Sequence, residues 1–308
     1  MRRVALRAAL RQVARQWQEK VARGALRPQT ADSYITNTER LLRFALALGL
    51  DRLDDVTDTV AQAFIDAPGH DRHGRLITSP ADSTRRVRRS SVDAFFAEAR
   101  RLGLTTRRAP LLDLPPIPRS QPRPTGILTD TDIDQLRFYA ERGMPQTRHA
   151  AVLALLLSGL HTGEIGLTGV TDLDLDHERV WAVGAARITA RYCPLDDPWN
   201  REVLRLRAEY VQQQSGSDRP QTLTTNGTAP AHRLQSSICT TFGEVVRASG
   251  IAPEGRSATP RDVSSWLAAK IHAGTGQIAE VALRLGLASL DRAAKLAGYD
   301  WRPSGQED

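Results

Sequence analysis

The stretch SGLHTGEIGLTGVTDLDLD occupies residues 158–176, and the segments on either side of it decide how the chain folds. Before it, Ala150 to Leu157 is apolar on every side, the pattern of a helix buried all round rather than of a surface helix with one wet face. After it, the acidic loop Asp172 to Glu178 gives way to a pair of strands near Arg179 to Leu195, and helical segments dominate from Asn200 onward. The expected fold around this stretch is mainly α with one small antiparallel sheet.

Working upstream, Thr129 and Asp132 have the spacing of a capping box, with Asp in place of the usual Glu or Gln, and mark a helix start just after Ile127 and Leu128. Six prolines fall between Pro110 and Pro124, a composition that cannot continue a helix. We read residues 110–126 as a linker between a helical domain, 1–109, and a second domain, 127–308. In the first domain, residues 3–23 form an amphipathic pattern with Leu6, Leu10, Val13, Trp17 and Val21 on one stripe. Arg3, Arg7, Arg11 and Arg15 lie on another at i+4 spacing. Helices are also expected over Thr30 to Leu48 and Asp58 to Ile65. A loop follows from Ala67 to Arg75, and then Ser83 and Thr84 offer an N-cap for a helix bearing Arg85, Arg86, Arg88 and Arg89 ahead of Val92, Phe95 and Phe96.

A chain of 308 residues is long enough for two cored domains. Its 41% hydrophobic and 25% charged content is that of a globular protein, and no run reaches the roughly 18 apolar residues of a membrane span. Residues 1–15 carry five arginines among the apolar positions and hold no compact apolar core of a secretory signal, so a cytoplasmic location is expected. Cys193 and Cys239 stand far apart with no histidine pattern beside them, which indicates neither a disulfide framework nor a zinc site. No metal site and no cofactor motif stand out. The five tryptophans, Trp17, Trp181, Trp199, Trp266 and Trp301, read as core residues.

Net charge is +7, unevenly distributed: residues 1–126 hold 23 Lys+Arg against 13 Asp+Glu, while residues 127–308 hold 19 against 22. Arginine outnumbers lysine 39 to 3, a bias of the kind a GC-rich genome produces, but such a bias does not place the excess in one half. A basic module attracts polyanions, of which nucleic acid is the commonest soluble one. Arg85, Arg86, Arg88 and Arg89 form the densest positive cluster, and phosphate contact is the role expected of them and of Arg3, Arg7, Arg11 and Arg15.

The order of the helix, residues 158–176, a strand pair ending "YCPL", then "TPRDVSSWLAAKIHAG" and "VALRLGLASL", resembles the catalytic domain of the tyrosine recombinase, or phage integrase, family over residues 127–300. The basic "STRRVRRSSVDAFF" helix and its neighbours resemble that family's helical, SAM-like core-binding domain. The resemblance implies double-stranded DNA as partner, a homo-oligomer on DNA, no membrane association and no cofactor. It also implies strand transfer by a tyrosine that attacks the scissile phosphate. Two arginines and one or two histidines would hold the transition state, and a hairpin lysine would protonate the leaving oxygen.

The sequence departs from that pattern at almost every catalytic position. His161 stands where the "TGLRxxE" arginine is expected, although Gly159, Leu160, Gly163 and Glu164 persist, and a neutral imidazole cannot present an arginine's bidentate fork. Glu164 reads as structural. The hairpin stretch from Gly184 to Arg191 has no lysine; its Arg187 and Arg191 are poor proton donors and read as DNA-binding. Arg261 and Ser264 occupy the "H-x-x-R" positions, Leu287 the second histidine position and Leu296 the tyrosine position. Tyr299 comes three residues later, almost one helical turn, and is the candidate for a displaced nucleophile. Ile278 to Leu290 also resembles the start of an AraC-type helix-turn-helix, which we read as local convergence.

Three readings follow. The first is a DNA-binding protein of this family, linked to integration or recombination of a mobile element, that is catalytically inactive and regulatory or accessory. The second is an active recombinase using Tyr299. The third is an interaction protein that keeps the fold without binding DNA.

Overall fold

A computed structural model of the chain describes residues 4–70, 75–106, 116–117, 128–185, 187–214, 221–225 and 227–300. The chain divides into two compact units, Met1–Pro122 and Arg123–Asp308, each with its own apolar core. Most of the Pro-rich 110–126 stretch lies outside the described residues, as do Arg3 and Trp301; within it, Ile117 packs against the core of the first unit.

Among the described residues the first unit has four α-helices: α1 (Leu6–Ala22), α2 (Pro28–Ala47), α3 (Asp58–Asp66) and α4 (Asp82–Arg101). Leu6, Leu10, Val13 and Trp17 of α1 are buried, as their 3–4 residue spacing requires, and they meet Leu41, Phe64, Val92, Phe95 and Phe96. Pro28 opens α2, where its fixed φ is already helical, and Thr57 caps α3 by accepting from the Val60 amide at 3.4 Å. The expected N-cap of α4 is corrected. The helix starts at Asp82 behind Ala81, so Ser83 and Thr84 lie inside its first turn, and no side chain caps it. The Asp82 carboxylate instead offers its charge to the positive end of the helix. A two-residue hairpin, β1 (Gly69–His70) with β2 (Leu76–Ile77), crosses the segment expected to be loop. Strands that short leave no alternation to read.

The second unit carries the rest: α5 (Asp130–Ala140), α6 (His149–Leu157), the single turn α7 (Thr162–Ile165), β3 (Leu173–Asp174), β4 (Arg179–Ala182), β5 (Arg191–Pro194), α8 (Pro198–Gln214), α9 (Ala231–Ser249), α10 (Pro260–Thr275), α11 (Ile278–Arg284) and α12 (Leu290–Ala297). Helix α6 is its central post, with Ala150 through Leu157 all buried. Thr129 and Asp132 bond reciprocally at the start of α5, at 3.1 and 2.8 Å. The antiparallel sheet runs β3-β4-β5 with Val180 opposite Cys193 and Trp181 opposite Tyr192. Val180, Ala182 and Cys193 turn inward, while the Trp181 and Tyr192 rings meet on the other face with centroids 4.8 Å apart. Helices α11 and α12 meet across a tight turn in which Gly286 takes φ +64°, and both pack on α10 through Ala268, Val281, Leu285 and Leu296. No described helix is long and apolar enough to cross a membrane.

Candidate nucleic-acid interface

The end of α6 fixes everything around it. Gly159 leaves the helix with φ +97°, where a Cβ would press on Leu285 and the Arg284 carbonyl, and His161 and Thr162 then start α7. Glu164, fully buried, accepts from the His161 amide at 2.7 Å, the Gly184 amide at 3.1 Å and the Arg191 Nη1 at 2.8 Å. Arg191 uses its remaining donors on backbone carbonyls: Nε on Arg284 at 2.8 Å, Nη1 also on Thr189 at 3.0 Å, and Nη2 on Gly159 at 2.6 Å. One carboxylate and one guanidinium thereby tie together the α6 end, the β4–β5 hairpin and the α11–α12 turn.

Above this hub lies an open cavity of about 430 Å³. His161 and Thr162 approach it from α7, and Arg261 and Ser264 from α10. Leu287 and Leu296 reach it from the α11–α12 turn and from α12, together with Arg292 and Lys295. Arg261 and Arg292 are exposed and have no side-chain partner among the described residues. His161 donates from Nε2 to the Leu285 carbonyl at 2.9 Å, which puts its proton on Nε2 because a carbonyl only accepts. Burial holds its pKa below the ordinary histidine value, so the ring is neutral and its Nδ1 is an acceptor.

No protein-family model matches the sequence, and no curated protein sequence does. Solved structures match it over nearly all its length. A lambda integrase dimer bound to a COC' core site aligns with a TM-score of 0.66 at 18% identity, covering 99% of this chain and 80% of that one. A Tn1549 transposon integrase in complex with a circular intermediate DNA aligns with a TM-score of 0.55 at 15% identity, covering 94% and 95%. The chain has the tyrosine recombinase, or integrase, fold.

Within that integrase fold five of the positions singled out by the resemblance, His161, Arg261, Ser264, Leu287 and Leu296, share one cavity although the first and last are 135 residues apart. Arg292 and Lys295 join them on α12, one helical turn apart. The sequence reading did not single them out; their i+3 spacing beside Leu296 was the available signal. Tyr299 is not among the lining residues. Helix α12 stops at Ala297 and Gly298 takes φ +69°, so the helical turn assumed for Tyr299 is not made. Its ring packs on His272 with centroids 4.7 Å apart and lines, with Ile278 and Leu290, a neighbouring apolar hollow that shares Ser289 and Asp291 with the first cavity.

Several expected phosphate contacts are corrected by burial. Arg191 is enclosed and fully used, leaving no donor for DNA. Arg88 is buried against the end of α3, where Nη1 donates to the carbonyls of Phe64, Ile65 and Ala67. Arg85 is held by Asp66 at 2.7 Å and Asp82 at 3.1 Å, and Arg89 lies 4.0 Å from Asp93. Arg86 remains half-buried. The four-arginine cluster is therefore part scaffold. Arg7, Arg11 and Arg15 are exposed along α1 with no partner among the described residues, and Arg187 is exposed at the hairpin. Cys193 is buried, and its thiol is pushed up to about 11 by that burial. Among the described residues no group of three or more His, Cys, Asp or Glu side chains could hold a metal ion.

Proposed function

We propose that this chain binds double-stranded DNA through an integrase fold without carrying out strand transfer, as a regulatory or accessory protein of a mobile element. One observation carries the reading: Arg261 and Arg292, exposed in the cavity beside Asp291, are cations able to meet a backbone phosphate, and Leu296 lines the same cavity at the position where the resemblance puts the nucleophile. Around that phosphate an arginine is replaced by a neutral His161 and another by Ser264, whose hydroxyl donates to the Pro260 carbonyl at 3.2 Å. Losing one preorganised donor typically costs about 10²–10³ in rate. Tyr299 lines a neighbouring hollow rather than this cavity, which supports the same reading. Exposed Arg7, Arg11 and Arg15 supply a sequence-independent phosphate track in the first unit. Assembly of several copies on one DNA belongs to the same reading.

The experiment is incubation with nicked suicide duplexes from the protein's own genomic neighbourhood, resolved on native and denaturing gels across a salt series. The expected result is a salt-sensitive native shift with no denaturant-resistant adduct. An adduct abolished by Tyr299→Phe would make the protein an active recombinase, and no shift at any salt would favour an interaction protein.

A further inference from the structure

A second cavity of about 490 Å³ opens in the second unit where the starts of α6 and α9 meet α8. Arg148, Arg207 and Arg233 line it together with the hydroxyl-bearing Thr225 and Ser237, and among the described residues no carboxylate does. Other arginines of the unit are paired with acids instead: Arg137 with Asp197, Arg256 with Asp262 and Arg284 with Glu280.

Two of the three guanidiniums are fixed from behind. Arg148 donates Nη1 to the Thr224 carbonyl at 3.1 Å and to Ser237 Oγ at 2.9 Å. Arg207 donates Nε to the Leu223 carbonyl at 2.8 Å and Nη1 to those of Pro145 and Gln146 at 2.7 and 3.0 Å. In each, Nη2 has no acceptor among the described residues. Arg233, in the first turn of α9, is exposed and makes no side-chain bond there, and α9 begins with no side-chain cap. Burial, with the neighbouring charge of Arg148, pushes the Arg207 pKa down, so this group of like charges lacks an anion. Two fixed guanidiniums and one exposed arginine are the chemistry of a phosphate seat.

The two cavities flank one turn of helix. His161 and Thr162 at the start of α7 line the first, while at its end the Ile165 and Gly166 carbonyls are held by Thr224 and Thr225, at 2.8 and 2.7 Å, which line the second. Four residues of helix rise about 6 Å. Phosphates on one strand of a duplex follow each other at about 3.4 Å along the axis.

We propose that this cavity is a second phosphate seat, in which Arg233 closes on a backbone phosphate of the same duplex whose neighbouring backbone meets the cavity at His161 and Arg261. The proposal rests on duplex binding, and its test separates the two. Binding of the full chain to a labelled duplex of about 30 base pairs is followed by anisotropy over a NaCl series for wild type, Arg233→Ala, Arg233→Lys and Arg233→Glu. A parallel calorimetric titration uses inorganic pyrophosphate. The exposed Arg233 side chain makes no hydrogen bond or ion pair among the described residues, so unchanged melting temperatures are expected. Arg233→Ala should lower the slope of log K against log[salt] by about 0.9, the loss of one phosphate contact, and Arg233→Lys should keep it. Arg233→Glu should weaken binding further than Arg233→Ala. Wild-type binding with no change in any Arg233 variant overturns the second seat and leaves duplex binding standing. Loss of pyrophosphate binding in Arg233→Ala at unchanged duplex affinity assigns the cavity to a free phosphate compound and overturns the duplex assignment. A wild type that binds no duplex overturns both readings.

Discussion

Arg191 Nη1 lies 2.8 Å from Glu164 Oε1, with the carboxylate fully buried and the guanidinium nearly so. Glu164 also accepts from two backbone amides, those of His161 and Gly184, and Arg191 donates to three carbonyls, those of Gly159, Thr189 and Arg284, so the pair is a joint of the second unit rather than a surface decoration. Removing one partner strands a buried charge, which typically costs about 3–5 kcal/mol. Glu164→Ala and Arg191→Ala are therefore each expected to lower the urea midpoint by an amount of that order. The double variant should lose much less than the sum, because neither charge is then left alone. Urea denaturation of the four proteins closes the cycle, and additive losses would contradict the joint.

The arginines of the first unit divide by burial, and binding should divide with them. Replacing Arg7, Arg11 and Arg15 together by Ala is expected to leave stability within about 0.5 kcal/mol, since all three are exposed and unpaired among the described residues. It should lower the salt slope of duplex binding by about 2–3. Arg88→Ala should do the reverse. The carbonyls of Phe64, Ile65 and Ala67 lose their donor, at about 1–3 kcal/mol for a group left unsatisfied, while the salt slope stays. Anisotropy over a salt series and urea melts on the same samples check both halves.

Much of this was legible in the chain. The apolar run Ala150–Leu157, the Thr129 and Asp132 box and the amphipathic spacing of α1 and α2 are local patterns, and local patterns survive into the fold. Even the misread arginines carried a signal. Arg88 stands four residues before Val92 and seven before Phe95, on the inward face of α4, and Arg191 shares the inward strand face with Cys193. Charge outweighed periodicity in that reading. The cavity of Arg148, Arg207 and Arg233 was not legible, since these arginines come from segments up to 85 residues apart. Tyr299 was lost to Gly298, whose left-handed conformation ends the helix before the next turn is made.

Gly286 gives a backbone test of the same joint. With φ +64° it admits an L side chain only under strain, and a Cβ there would fall 2.6 Å from Arg191 Nη1 and 2.7 Å from the Thr189 carbonyl. Gly286→Ala should thus push the guanidinium off Glu164 and destabilise the protein by more than the roughly 1 kcal/mol typical of a point substitution. Gly276→Ala is the control, because Gly276 has a similar φ of +70° with open space around it. It should lose the conformational part alone. Equal losses in the two variants, read by thermal melts, would mean that contact with Arg191 contributes nothing.

His161 ties stability to acidity. Burial lowers its pKa in the folded protein below the value of about 6.5 that it takes when unfolded, so between the two values the unfolded chain binds more protons. Stability from this group is complete above the unfolded pKa and is lost as pH falls below it towards the folded pKa. The neutral ring lines the cavity with an acceptor nitrogen and no charge, a poor neighbour for phosphate until it is protonated. His161→Gln can keep a donor for the Leu285 carbonyl without titrating. Between pH 7 and pH 5 the wild type should lose more stability than His161→Gln, as measured by urea midpoints at half-unit intervals. Duplex affinity of the wild type should rise over the same range relative to the variant, because an anion in the cavity favours the charged ring. Parallel stability curves for the two proteins would show that His161 has the same affinity for protons folded and unfolded, and would remove this source of pH dependence from the cavity.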